Sequence, residues 1–202
     1  PAMSNSDILD AVEKLKHLKL EFEFVHIVGT TTKALWAALA YEAKNFLEFS
    51  KRPLLFICEA RKPNENESAD EYVTALQEDG RGINSMFIQV VAAWGRYMRM
   101  DRREQDINLA GIVTGLYCQA RESQSIGEVR TFPISEEKLI RLIPESIEEY
   151  IDDLDNSRYL TFRQYVGLDG YFVYNARVMS ADGSDFRYAE DTRVMNRIVN
   201  EV

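Results

Sequence analysis

Few stretches of this chain combine residue types and spacing that could do chemistry. Gly29-Thr30-Thr31-Thr32-Lys33 follows a strand-forming run and opens a helical one, which is where a phosphate loop would stand. A Walker loop needs a glycine directly before the lysine and another several residues earlier, so that successive backbone N–H groups wrap a phosphate. Here Thr32 precedes the lysine and Gly29 stands alone, so the segment reads as an ordinary strand-to-helix turn. No GxGxxG fingerprint, GxSxG elbow, CxxC pair or HExxH pair occurs. His17 lies among lysines on the polar side of a helical pattern, and His26 sits in a strand as a core or sheet-face residue. Cys58 and Cys118 lie in apolar contexts and read as buried, reduced thiols of a cytoplasmic protein. Asp153-x-Asp155-x-Ser157 imitates the start of an EF-hand, but Arg158 stands at the glycine position and Gln164 at the bidentate glutamate position. No catalytic, cofactor or metal constellation survives these tests, and the expectation is a protein that is not an enzyme.

Two single-sign patches do survive. Arg96, Arg99, Arg102 and Arg103 fall among Tyr97 and two methionines, Met98 and Met100. Glu145, Glu148, Glu149, Asp152, Asp153 and Asp155 follow one another with no lysine or arginine between them. Both can be solvated faces. They can equally form a heterologous contact, in which the basic patch of one subunit meets the acidic patch of an identical neighbour and the contact propagates helically.

Composition bounds the partners. The chain has 202 residues, 46% of them apolar, which is enough to bury a sizeable core as one α/β domain over residues 4–202. Its net charge of −9 disfavours nucleic acid as a partner, since such domains usually carry a basic face. No apolar run is long enough to span a bilayer, so no membrane partner is expected. Pro1-Ala2-Met3 resembles a cloning remnant, which makes an excised piece of a longer protein the expected state of this chain.

The elements that would position these patches follow from periodicity. Ser6–Leu20 has apolar residues at helical spacing, with Ser6 or Asp7 as cap. Residues 22–29 form a strand, Thr30-Thr31-Thr32-Lys33 opens a helix running to about Ser50, and 53–59 form a second, continuously apolar strand, together a right-handed βαβ unit. Ser68 and Glu71 make a capping box for a helix that ends near Gly80 or Gly82, before a third strand over 87–93. The arginine segment breaks that run. A helix over 106–121 follows, its Gly111 and Gly115 implying close packing against another element. Residues 135–143 and 146–154 read as two short helices split by Pro144. Tyr159–Val166 and Tyr171–Val178 read as a hairpin about Gly167-Leu168-Asp169-Gly170, and Val194, Met195, Ile198 and Val199 give a terminal helix over 190–202. The expected fold is a three-layer α/β sandwich around a mainly parallel sheet, with a C-terminal antiparallel hairpin and terminal helix.

The last part of the chain resembles a known family. A strand ending in Asn175-Ala176-Arg177, a polar loop with Gly183-Ser184-Asp185, the triplet Phe186-Arg187-Tyr188 and an arginine-bearing helix resemble the core of contractile tail sheath proteins of phages and related injection machines. The resemblance extends from about Glu21 to Val202 and is most specific over 159–197. It implies a structural subunit without cofactor. Copies would stack as hexameric rings around an inner tail tube above a baseplate, terminal arms would add strands to neighbours' sheets, and contraction would drive the tube through a target envelope. Assembly in the bacterial cytoplasm and residence in the particle tail are implied as well. This chain lacks the N-terminal arm and early strands of such a subunit and stops at a helix, so the fragment alone is expected to be monomeric. A flavodoxin-like small-molecule or nucleotide enzyme, with a pocket at the C-terminal strand ends, and another phage baseplate or assembly protein remain the alternatives.

Overall fold

The computed structural model describes residues 3–201; Pro1, Ala2 and Val202 lie outside the described residues, and so does the expected remnant at Pro1-Ala2. Helix α1 (Asn5–Leu15) starts earlier and ends sooner than its periodicity suggests. Ser4 is the cap, accepting from the Asp7 N–H at 3.3 Å while Asp7 accepts from the Ser4 N–H at 2.9 Å, so Asp7 closes a capping box instead of serving as the cap.

Strands β1 (Phe24–Thr30), β2 (Leu55–Glu59) and β3 (Ile88–Val91) form a parallel sheet in the order β1-β2-β3, connected by α2 (Lys33–Ser50) and α3 (Ala69–Gly80). Register pairs Phe24 with Leu55 and Phe56 with Ile88. β2 is buried at every position and is packed by α2, α4 (Ala110–Tyr117) and α6 (Ala189–Glu201), as its unbroken apolar run requires. Trp36, Leu39 and Phe46 from α2 and Tyr72 and Leu76 from α3 complete the core; burying each large side chain contributes about 2 kcal/mol. The capping box at Ser68 and Glu71 is present, with the Glu71 N–H donating to Ser68 Oγ at 3.3 Å.

The rest of the chain does not extend that sheet. β4 (Trp94–Met98), β5 (Glu104–Asn108) and β6 (Leu139–Ile143) form a separate antiparallel sheet in the order β5-β4-β6, and β7 (Phe162–Gln164) pairs antiparallel with β8 (Tyr171–Val173). The fold is therefore mixed α/β. It has six α-helices among the described residues and one three-stranded parallel sheet beside two antiparallel ones, in place of a single mainly parallel sheet. Residues 139–143, expected as part of a helix, are a strand because Leu139 and Leu142 are buried against β4 while Ile140 and Arg141 remain open. The helix expected from Asp106 begins only at Ala110, because Asp106 and Ile107 belong to β5. After Pro144 a 3₁₀ turn (Ile147–Tyr150) leads into the short α5 (Ile151–Asn156).

The C-terminal hairpin is shorter than its aromatic runs, but its glycines do what their spacing implied. Gly167 and Gly170 have φ of 80° and 97°, and a Cβ on Gly170 would stand 2.6 Å from the Ile134 carbonyl oxygen. A Cβ on Gly111 would stand 3.9 Å from His26 Cε1, an ordinary contact, and one on Gly115 would meet nothing within 4 Å, so neither position is tight enough to require glycine. Cys58 is buried, whereas Cys118, one residue beyond the end of α4, is exposed, which corrects half of the thiol expectation.

Candidate functional site

The block that carries the family resemblance is built on buried arginines. Asn175-Ala176-Arg177 leads away from β8, and Arg177 pairs with Tyr188 in an isolated antiparallel bridge, the Val178 N–H donating to the Arg187 carbonyl at 3.0 Å. The Arg177 side chain is 4% exposed; it donates to Asp182 Oδ1 at 2.5 Å and its guanidinium lies 5.8 Å from the Tyr188 ring centre. Its carbonyl accepts from Gln89 Nε2 at 3.0 Å, and Gln89 Oε1 accepts from the Tyr117 hydroxyl at 2.9 Å, which ties the block to β3 and α4. Burial pushes the Tyr117 phenol well above its ordinary value, so it stays a donor.

Two helix C-termini are closed from the same block. Arg193, 3% exposed, pairs with Glu23 and donates to the carbonyls of Arg121 and Tyr117 at 3.2 and 3.3 Å, over the end of α4. Arg158 donates to the carbonyls of Gly80 at 3.1 Å and Ile83 at 2.6 Å, and the Tyr159 hydroxyl donates to the Leu76 carbonyl at 2.7 Å, over the end of α3. Carbonyls of a last helical turn lack intrahelical partners and carry partial negative charge, so a guanidinium there satisfies both needs.

The basic patch lies on the β4–β5 hairpin. Arg96 stands opposite Asp106 in register and donates from Nε to Oδ1 at 2.7 Å, with Lys62 Nζ 2.9 Å from the other carboxylate oxygen. The Arg96 hydrogen bond holds the Asp106 carboxyl below the usual aspartate range. Arg96 is thus neutralised inside the chain. Beyond it the tip turns, with the Arg99 N–H donating to the Arg103 carbonyl at 2.9 Å and Arg102 at φ 61°. Arg99 reaches Asp101 at 3.7 Å and Gln105 Oε1 at 3.1 Å; Arg102, Arg103 and Met100 are exposed, and the two arginines make no ion pair among the described residues.

The acidic patch divides in the same way. Glu148 Oε1 accepts from the Gln164 N–H at 2.6 Å, Asp152 from the Tyr174 hydroxyl at 3.2 Å and Asp155 from Asn175 Nδ2 at 2.9 Å. Glu145 is only 3.9 Å from Arg141 and is 87% exposed, while Glu149 and Asp153 are exposed and uncommitted. Register places Trp94 beside Ile143, so the acidic segment begins at the foot of the hairpin and the arginines lie at its tip. At about 3.3 Å per residue the two ends are roughly 16 Å apart, too far for the patches to neutralise each other within one chain.

The other chemical candidates are held by the fold. β1 runs on through a bulge at Gly29, and the Thr31 hydroxyl donates to the Glu59 carbonyl at 2.7 Å while accepting from the Trp36 indole at 2.6 Å. The Gly29–Lys33 stretch is thus a stapled strand end with Thr32 capping α2. His26 Nε2 lies 3.0 Å from Glu59 Oε1, and the Trp94 indole donates to the Ala60 carbonyl at 3.1 Å, across the strand ends where a flavodoxin-like ligand would sit. Among the described residues no three His, Cys, Asp or Glu side chains converge as a metal site would, and no helix is long and apolar enough to cross a membrane.

With the geometry laid out, the likeness to known structures becomes readable. The sheath tail protein of Desulfitobacterium hafniense superposes with a TM-score of 0.66 at 15% identity, over 100% of this chain and 42% of that one. The sheath tail protein of Listeria innocua gives 0.65 at 14% identity, over 100% and 41%. The helical sheath of the anti-feeding prophage in its contracted state gives 0.57 at 11% identity, over 97% and 50%. The fold is that of contractile tail sheath proteins, and this chain spans between two fifths and half of their length. The chain belongs to the DUF2586 family, matching the description "DUF2586, N-terminal domain" over residues 1–177. No curated protein matches it.

Proposed function

We propose that this chain is the core of a structural subunit of a contractile tail sheath. The observation that carries the proposal is the fold likeness over the whole chain to two sheath tail proteins, and over nearly all of it to a sheath in its contracted state. In this reading full-length copies associate with one another in hexameric rings stacked helically around an inner tail tube, above a baseplate. Contraction of that lattice drives the tube through a target envelope. The subunit is made in the bacterial cytoplasm and ends in the tail of the particle, and its work is mechanical, not catalytic.

The separated patches support a head-to-tail contact. The arginine tip of one copy reaches Glu149 and Asp153 of the next, exposed acids without a side-chain partner among the described residues of their own chain, and Glu145, which is held only by a long pair to Arg141. Such exposed pairs are worth about 0–1 kcal/mol each, weak enough to separate and re-form when a lattice shifts register. The chain is a core fragment in this reading and is monomeric when isolated.

Negative-stain electron microscopy of the full-length protein, at low and raised salt, tests the proposal. Striated tubes or polysheaths are expected; uniform small particles at every concentration and salt would overturn it.

A further inference from the structure

Among the described residues, the two most exposed large apolar side chains stand at the tips of two β-hairpins: Met100 at 105% on β4–β5 and Val166 at 108% on β7–β8. A lone exposed aliphatic needs no explanation, but these two fall one in each of the oppositely charged regions. Met100 is held out by a tight turn, in which the Arg102 N–H donates to the Arg99 carbonyl at 3.0 Å, and Arg99, Arg102 and Arg103 surround its base. Val166 follows the half-buried Tyr165, which packs T-shaped against Phe172 with ring centres 5.8 Å apart. This second hairpin is tied to the acids: Glu148 accepts from the Gln164 N–H, and Glu136 Oε1 from Gln164 Nε2 at 2.7 Å. In the helical turns after Pro144, Ile147, Ile151 and Leu154 face inward, while Glu148, Asp152 and Asp155 face β7–β8 and the residues that follow it. Helical spacing therefore leaves Glu149 and Asp153 on the solvent side, next to that hairpin.

We propose that Met100 of one copy docks on the β7–β8 tip of the next, against Val166 and the Tyr165 ring, and forms the apolar centre of the head-to-tail contact. The inference rests on the reading of this chain as a sheath subunit, and adds to it a contact that salt does not screen. Charge complementarity selects a second copy as the occupant: a tip with unpaired Arg102 and Arg103 is steered to the face that carries Glu149 and Asp153. The Arg163 guanidinium lies over the rings of Tyr165 and Tyr174, at 4.7 and 5.5 Å, so its charge is taken up beside the tip and does not oppose that approach. Interfaces concentrate their binding in a desolvated centre with a polar rim, and here the rim is ionic. Methionine suits such a centre, because its unbranched side chain adapts to changing neighbours and its thioether packs well against an aromatic ring. Burying it outweighs any one of the exposed ion pairs around it, so the apolar contact holds while the charge pairs re-form.

The test is disulfide trapping in the full-length protein, with Cys118→Ser throughout because Cys118 is exposed. A variant carrying both Met100→Cys and Val166→Cys, oxidised after assembly, should give a ladder of dimers, trimers and larger species on a denaturing gel without reductant. Either substitution alone should give no ladder. A double variant that forms tubes but yields no ladder would overturn the proposal, and so would one that closes the disulfide within a single copy. Met100→Ala, at an exposed position and so without effect on melting of the chain, should raise the protein concentration needed for tubes by about tenfold. That shift should be the same at low and raised salt, whereas an unchanged threshold would also overturn the proposal. A parent protein that forms no tubes, seen by negative-stain microscopy before oxidation, would instead fell the sheath reading and this contact with it.

Discussion

In the C-terminal block Arg158, Arg177 and Arg193 end on backbone carbonyls and carboxylates, whereas at the β4–β5 tip Arg102 and Arg103 end in solvent. Both regions carry arginine beside tyrosine or methionine, and composition does not tell them apart. The difference lies in what surrounds each side chain. Buried Arg193 and half-buried Arg158 close two helix ends that would otherwise leave carbonyls unpaired, while the tip arginines have only water and a distant acidic face. Residues of the first kind make the domain; residues of the second kind are available to join domains.

Replacing Arg193 with Met should have the largest effect on stability. It keeps the stem but leaves Glu23 without its partner and the α4 carbonyls without donors, at a cost of about 3 kcal/mol. In a chain of this size that corresponds to a melting temperature roughly 6–12 °C lower, readable by calorimetry. The same change at Arg103 should stay within about 0.5 kcal/mol. A comparable loss at both sites would erase the distinction between the two regions.

A smaller effect is expected from pH, with two carboxyls acting in opposite directions. The Arg96 hydrogen bond depresses Asp106, so its stabilisation is complete above the ordinary aspartate range and is lost as pH falls through its lowered value. The pair is partly exposed, which limits the term to under about 1 kcal/mol. Burial raises the Glu190 carboxyl instead, so stability is gained as pH falls from that raised value toward the ordinary glutamate range. Thermal melts across acidic pH should show Asp106→Asn flattening the lower limb and Glu190→Gln the upper one.

The parallel βαβαβ portion was legible because its signals agree: continuous apolar strands, a capping box at Ser68 and Glu71, and helical spacing through Phe46 and Leu76. The antiparallel sheet was not. Trp94–Met98 and Glu104–Asn108 are half-exposed and charged, and Leu139–Ile143 is a short apolar run whose spacing fits helix and strand alike. For the candidate site, the sequence identified both patches but not which members the fold had already used. Asp106 opposite Arg96, and Gln164, Tyr174 and Asn175 against three of the acids, are contacts between distant segments. The terminal helix was legible from the spacing of Val194, Met195, Ile198 and Val199, and the structure forms it over Ala189–Glu201. The functional weight of Arg177 and Arg193 could be sensed only through the resemblance, since no local pattern announces a buried arginine.

The most direct test of the account is a charge exchange between two full-length variants. One carries Arg102→Glu with Arg103→Glu, the other Glu149→Lys with Asp153→Lys, and both should melt within about 1 °C of the parent because these side chains are exposed. Each alone sets like charge against like at every head-to-tail contact, and each should give only small particles by negative-stain microscopy. Mixed in equal amounts and alternating along the contact, they set opposite charges against each other at every contact, and tubes should return. Tubes from either variant alone, as abundant as those of the parent, would contradict the assignment of these patches to subunit contact.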